Sequence, residues 1–402
     1  MKRRVAILFD NFGPYHLARL GAAAKVCELL AVEFGSLSVE YDWKVSEKSE
    51  LNRVVINTGG SSAALSSREF SRKLSKVLGD FNPDVVFVPG WSTRGALLSL
   101  QWCLMHKVPS VVMSETTAWD ENRNSIKEFL KGRILSFFSA ALVGGSPHRS
   151  YLEQLGFSSD KIFLGYDTVD NDYFERESRH VRSRQNDMRK FLKLPRSYFL
   201  SSARFVPKKN LHRLLTAYAS YRKESEAKLG KQEFQLWDMV LLGDGPLRME
   251  IESLKSKLGI AECLHTPGFK QYEDLPAYYG CAGAFIHAST TEQWGLVVNE
   301  AMASCLPVLV SKRCGCSEDL VLNGFNGWTF DPYNTDELIG LMMQISSSEE
   351  TRLEMGKNSL SMIKAWGPDR FAAGLSMAID AAIVNPVKTA PILLKILLKL
   401  LL

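Results

Sequence analysis

The sequence predicts a two-domain α/β protein built from two doubly wound parallel sheets. Three observations lead there. Apolar, β-rich runs alternate with longer helical stretches in two separate blocks, the order that parallel α/β sheets require. A polar, charged stretch at about 175–196 separates the blocks. The length of 402 residues exceeds what one ordinary core fills.

In the first block, Val5-Ala-Ile-Leu-Phe9 reads as a buried strand, followed by a helix over roughly Tyr15 to Leu30. Further strands are expected at Val54–Ile56, Val85–Val88, Ser110–Met113 and Ala141–Val143, with helices at Ser67–Leu78 and Thr93–Lys107 between them. In the second block, strands are expected at Tyr198–Ser201, Met239–Leu242, Cys263–Thr266, Ala284–His287, Pro307–Val310 and Trp328–Phe330. Each begins a strand-to-helix unit, and ligands of such sheets gather at the carboxyl ends of the strands. Two facing sheets make a cleft for a two-part substrate. The basic run between the blocks reads as a solvated interdomain connection with a short helix.

Composition narrows the class. The chain is 46% apolar and 23% charged, as soluble globular proteins are, and its formal charge is +5. That charge lacks the concentrated basic face of a nucleic-acid binder, so no nucleic-acid partner is expected. Seven scattered cysteines, an odd number, suggest reduced thiols and a cytoplasmic setting. Met1-Lys-Arg-Arg before Val5 is read as the opening of a strand and not as a signal peptide. From Pro391 the chain runs Ile-Leu-Leu-Lys-Ile-Leu-Leu-Lys-Leu-Leu-Leu, with Lys395 and Lys399 on one helical face. At 1.5 Å per residue this tail reaches about 16 Å, half a bilayer core. It is a candidate for peripheral contact at the inner face of the membrane, or for docking on protein.

Candidate chemistry concentrates in the second block. Arg204 and Lys209 follow a strand whose last residues are small, so a ligand can approach the backbone. Two fixed cations there would neutralise a diphosphate as its bond to sugar breaks. Gly243-Asp-Gly-Pro-Leu247 follows the next strand, where glycines permit a tight turn and close ligand approach. Glu292 and Glu300 bracket a strand-to-helix turn. The loop acid suits sugar hydroxyls and the helical one a ribose diol, while the amides between them face a phosphate. The alternative is a solvated loop acid and a first-turn glutamate balancing the helix dipole.

Taken together, these residues resemble glycosyltransferase family four, retaining enzymes of the GT-B fold. The resemblance is carried by Ser202-Ala-Arg204 with Lys209-Asn210, Leu242-Gly-Asp-Gly-Pro-Leu247, Glu292 and Glu300-Ala-Met-Ala. Pro307-Val, Gly324 with Asn326-Gly327, and Phe330-Asp-Pro332 continue it in order. It implies two Rossmann-like domains facing a central cleft: an acceptor-binding domain at 1–175, a linker at 176–197 and a nucleotide-sugar-binding domain at 198–365. A helix at 366–386 would return to the first domain, ahead of the tail at 387–402. Residue by residue, it implies that Arg204 and Lys209 hold the donor diphosphate, Glu300 the ribose and Glu292 the transferred sugar. The amides of Gly295, Leu296 and Val297 would meet the distal phosphate, with Gly243 in the donor loop. It further implies front-face attack, the leaving phosphate taking the acceptor's proton, with no metal and no cofactor. The acceptor would be a glycan, a lipid-linked sugar or a small molecule.

The first block matches less closely. Gly13 stands in the loop after the first strand as a donor- or acceptor-loop residue. His16 is either an acceptor contact or a helix cap. Glu115 falls where many relatives carry a histidine touching the sugar, so it is a candidate for that contact or a surface acid. Glu292-Gln-Trp-Gly295 departs from the usual Glu-Gly-Phe-Gly, and Tyr166-Asp-Thr-Val-Asp170 from the usual linker entrance. Rival readings are a sugar-nucleotide epimerase on the same scaffold and a non-catalytic glycan binder. A nicotinamide oxidoreductase is disfavoured, because Phe9-Asp-Asn-Phe-Gly-Pro14 lacks the three-glycine fingerprint.

Overall fold

The computed structural model describes residues 2–36, 51–228 and 236–385. They form two compact units. One takes the chain through Thr168 and again from Pro368 onward; the other is Val169–Gly367. The tail at 387–402 lies outside the described residues.

The first unit holds seven strands: β1 Arg4–Phe9, β2 Glu28–Glu33, β3 Arg53–Val55, β4 Val85–Pro89, β5 Ser110–Ser114, β6 Ala140–Val143 and β7 Ile162–Leu164. All are parallel, in the order β3-β2-β1-β4-β5-β6-β7. β1 shows why its residues form a central strand. Ala6 and Leu8 enter one apolar core, Val5, Ile7 and Phe9 the other, and all are buried. Two-sided burial is what a continuous apolar run in a parallel sheet serves.

One face is covered by helices Ser67–Phe81 and Arg94–His106. The first begins with a reciprocal cap, in which the Glu69 amide donates to Ser66 Oγ and the Ser66 amide to Glu69 Oε2. Its buried Phe70, Leu74 and Leu78 repeat every four residues. The other face is covered by helix Pro14–Val26 and by the last described helix, Pro368–Val384. Phe371, Leu375, Ala378, Ile379 and Ala382 form the stripe that the latter buries.

Two strands differ from expectation. The first helix stops at Val26, and Leu29-Leu-Ala-Val32 lies in β2, not in a helical end. A four-residue apolar run satisfies both periods, so spacing alone does not separate them. β7 is only three residues long and carries no alternation to read.

The second unit holds β8 Tyr198–Ser202, β9 Asp238–Leu242, β10 Leu264–Gly268, β11 Ala284–His287, β12 Val308–Ser311 and β13 Gly327–Phe330. They are parallel, in the order β10-β9-β8-β11-β12-β13. The stretch 176–197, expected as a linker, lies within this unit, mostly in helices Asn171–Ser183 and Gln185–Leu192. Phe174, Ser178 and Val181 line the buried side of the first, and Phe174 meets Tyr279 edge-on at 5.9 Å. Among the described residues, no helix is long and apolar enough to cross a membrane.

Candidate functional site

β8 and β11 are neighbours, but the chain leaves β8 toward β9 on one side and β11 toward β12 on the other. Diverging loops at such a switch point open a crevice at the carboxyl ends of the strands. The loop after β8 carries Arg204 and Lys209; the loop after β11 carries Glu292. One backbone bond and the Asn210 side chain tie the loops together. The Thr290 amide donates to Lys208 O at 2.9 Å, and Asn210 Nδ2 donates to Ala288 O at 3.1 Å and Pro332 O at 2.8 Å. Asn210 sits in the left-handed region at φ 57°, which asparagine tolerates.

These ties bring Lys209 and Glu292 into an ion pair, Lys209 Nζ on Glu292 Oε2. His287 Nε2 and Ser289 Oγ each lie 3.2 Å from the same oxygen. Burial alone would raise the Glu292 carboxyl, but the Lys209 charge and the His287 hydrogen bond overcome it and hold it well below the usual carboxylate range. His287 is lowered, first by burial and then by Lys209, with Glu292 opposing. Among the described residues, no hydrogen bond reaches Glu292 Oε1. Arg204 is half-buried, and its guanidinium has no ion-pair or hydrogen-bond partner among them either. The loop after β8 therefore carries Arg204, whose guanidinium has no protein partner among the described residues, and the two loops hold a Lys–Glu pair with one open carboxylate oxygen.

The glycines have steric reasons. Gly243 sits at φ 124°, and a Cβ there would lie 1.9 Å from Ala203 O. This close approach lets Phe205 N bond Asp244 O at 2.8 Å, joining the loops after β8 and β9. Gly295, at φ 105°, caps helix Leu296–Ala303. Leu296 and Val297 open that helix half-exposed, where amides lack intrahelical partners. Glu300, one turn on, is fully buried, and its Oε2 accepts a 2.6 Å bond from the Tyr279 hydroxyl. The two acids are thus held by different partners, Glu292 in a charge network and Glu300 by a phenol.

Behind the Glu292 loop runs the segment with Cys314 and Cys316. Glu292 N donates to Arg313 O, Gly315 N to Glu292 O and Cys316 N to Trp294 O, at 3.1–3.2 Å. Both thiols are buried, and burial pushes them up. All seven cysteines are unpaired.

In the first unit, Gly13 precedes helix Pro14–Val26, and its amide donates to His16 Nδ1 at 2.9 Å. Burial and the Arg19 charge push His16 down to about 3. His16 thus serves as a neutral cap packed 4.5 Å from the Phe9 ring. Glu115 follows β5, and burial, joined by the Glu115 charge, raises the Asp167 carboxyl well above its ordinary range. Asp167 pairs at 3.4 Å with Arg19, both fully buried. Sequence reasoning passed over Arg19, Asp167, His287 and Ser289. A polar residue closing an otherwise apolar strand, as His287 closes β11, was the available signal.

Comparison with known proteins places this arrangement. Residues 183–362 match the family described as Glycosyl transferases group 1. The alpha-monoglucosyldiacylglycerol synthase of Acholeplasma laidlawii is 26% identical over 170 residues, 42% of this chain and 40% of that protein. The serotype-specific mannosyltransferase WbdA of Escherichia coli is 22% identical over 330 residues, 77% of this chain and 37% of that protein. The chain thus spans about two fifths of the length of these curated relatives. Among solved structures, HepE of Anabaena, crystallised with UDP and glucose, superposes with a TM-score of 0.73 at 16% identity, over 93% of this chain and 98% of that one. Within the second unit the stretch 183–362 is thus similar to group 1 glycosyltransferases, and the fold is GT-B.

Proposed function

We propose that this chain is a retaining glycosyltransferase, moving a sugar from a nucleoside-diphosphate donor to a hydroxyl of a glycan, lipid-linked or small-molecule acceptor. One observation carries the reading: the loops after β8 and β11 meet in a Lys209–Glu292 pair whose carboxylate keeps one oxygen open.

In this reading the donor diphosphate lies along Arg204, Lys209 and the first amides of helix Leu296–Ala303. The bond from the anomeric carbon to phosphate oxygen breaks with its electron pair going to the phosphate. Fixed cations and helix amides stabilise that growing charge without reorganising. The acceptor oxygen bonds the anomeric carbon on the same face, and its proton passes to the leaving phosphate. Glu292 Oε1 accepts from hydroxyls of the transferred sugar, and Glu300 meets the ribose. Gly243 shapes the donor loop by letting it close against the loop after β8. For the acceptor, Gly13 and Glu115 are the candidate contacts in the first unit, where His16 caps the helix. The sequence pattern of 387–402 supports a peripheral position on the cytoplasmic face of a membrane, which favours a lipid-linked acceptor.

The test is a panel of nucleotide sugars, read as thermal stabilisation and slow donor hydrolysis. UDP-glucose is the first choice, since HepE is solved with UDP and glucose. A single hit identifies base and sugar together, and the anomeric configuration of the product reports retention. A chain that neither binds nor hydrolyses any member is not this enzyme.

A further inference from the structure

We infer that His287 is a positioning residue, which together with Ser289 turns the Glu292 carboxylate so that Oε1 alone faces the transferred sugar. The inference rests on the function proposed above and deepens it.

His287 is the last residue of β11 and is 1% exposed. An imidazole so placed needs a use for its ring nitrogens. Nε2 lies 3.2 Å from Glu292 Oε2 and 3.2 Å from Ser289 Oγ, and Ser289 Oγ lies 3.2 Å from Glu292 Oε2. Lys209 Nζ joins them on that same oxygen. Oε2 thereby collects every protein donor in the cluster, and none of the described residues bonds Oε1. A carboxylate in water shares donors between its oxygens, so this asymmetry is imposed by the fold.

The ring's protonation supports the same role. A neutral imidazole has one N–H, and placing it on Nε2 gives Glu292 a donor without a second charge beside Lys209. Packing adds to the hydrogen bonds. A Cβ built on Gly295 would lie 3.5 Å from Glu292 Cγ, 3.6 Å from Cys316 Sγ and 3.7 Å from His287 Cδ2. The imidazole and the carboxylate stem therefore lie on the same side of the glycine that opens the helix. A loop glutamate has three freely turning bonds; here the ring, the hydroxyl and the ammonium remove that freedom before the donor arrives. Such preorganisation matters because a misplacement of about 1 Å in a reacting complex costs about 100-fold in rate.

The experiment is a double-mutant cycle on the full chain with UDP-glucose, GDP-mannose and ADP-glucose as probes. His287→Ala should lower kcat about 10- to 100-fold, leaving affinity for the free nucleoside diphosphate within about twofold, since no phosphate contact is lost. His287→Gln, which keeps an N–H at similar reach, should recover most of the loss. In a Glu292→Gln background, His287→Ala should cost less than about threefold, because the group it positions is gone. Ser289→Ala changes little volume and should show the same dependence on Glu292, which keeps the test open should His287→Ala fold poorly. The inference is overturned if His287→Ala turns over like the wild type, if glutamine rescues no better than alanine, or if the losses simply multiply. A wild type inert toward all three probes overturns the proposed function along with it.

Discussion

Replacing Lys209 by methionine isolates the charge on which the crevice depends. The two side chains of the pair are only 10% and 13% exposed. Removing one partner of a buried pair costs about 3–5 kcal/mol, because the other charge is left uncompensated. Here His287 and Ser289 still donate to Glu292 Oε2, and bonds to a charged group are worth about 1.5–3 kcal/mol each. The expected loss is therefore smaller, about 2–3 kcal/mol. For a unit of this size, 1 kcal/mol moves Tm by about 2–4 °C, so Lys209→Met should lower the second unit's transition by about 4–12 °C. Lys209→Met combined with Glu292→Gln should recover part of that, since no bare charge remains. The pH dependence has a definite sign. The wild-type Glu292 carboxyl is depressed, so its contribution is present above the ordinary glutamate range near 4.3 and fades as pH falls below it. Without Lys209, burial dominates and the carboxyl takes up a proton more readily, so the gap between variant and wild type should close between pH 7 and pH 4. Calorimetry across that range measures both effects. A variant melting within about 1 °C of wild type at pH 7, or a gap that widens in acid, refutes the reasoning.

Arg204→Ala should lower transfer more than about 100-fold, while the melting temperature barely moves, because the guanidinium has no protein partner among the described residues; near-normal turnover removes Arg204 from the leaving-group role. Gly243→Ala should destabilise the second unit by more than about 2 kcal/mol, since its Cβ would meet Ala203 O at 1.9 Å. Gly259→Ala serves as its control: φ is 68° but nothing lies within 4 Å, so about 1 kcal/mol is expected. The folded pKa of His16, about 3, lies below its ordinary 6.5, so the unfolded chain binds a proton first as the solution is acidified. The first unit should therefore lose stability as pH falls from about 6.5 toward about 3, and His16→Gln should flatten that slope in melts taken across the window.

Local sequence determined the two parallel sheets, because a strand buried on both faces must be apolar throughout and its helices must separate it from the next. It also placed Arg204, Lys209, Glu292 and the Gly243 loop at strand ends, where small and charged residues break the apolar runs. It misjudged β2 and missed β7, whose short runs satisfy more than one period. The stretch 176–197, read from sequence as an interdomain connection with a short helix, lies mostly in two helices, and the burial of Val181 there is seen only once the second unit is folded. Which side chains meet was decided by tertiary structure alone. Lys209 and Glu292 are 83 residues apart, and Arg19 and Asp167 are 148 apart. No local pattern encodes such meetings, because they arise only when strands distant in the chain become neighbours in the sheet. His287 stands between the two cases: its partner Glu292 is only five residues on, but the Lys209 that joins them on the same oxygen comes from the β8 loop, 83 residues away.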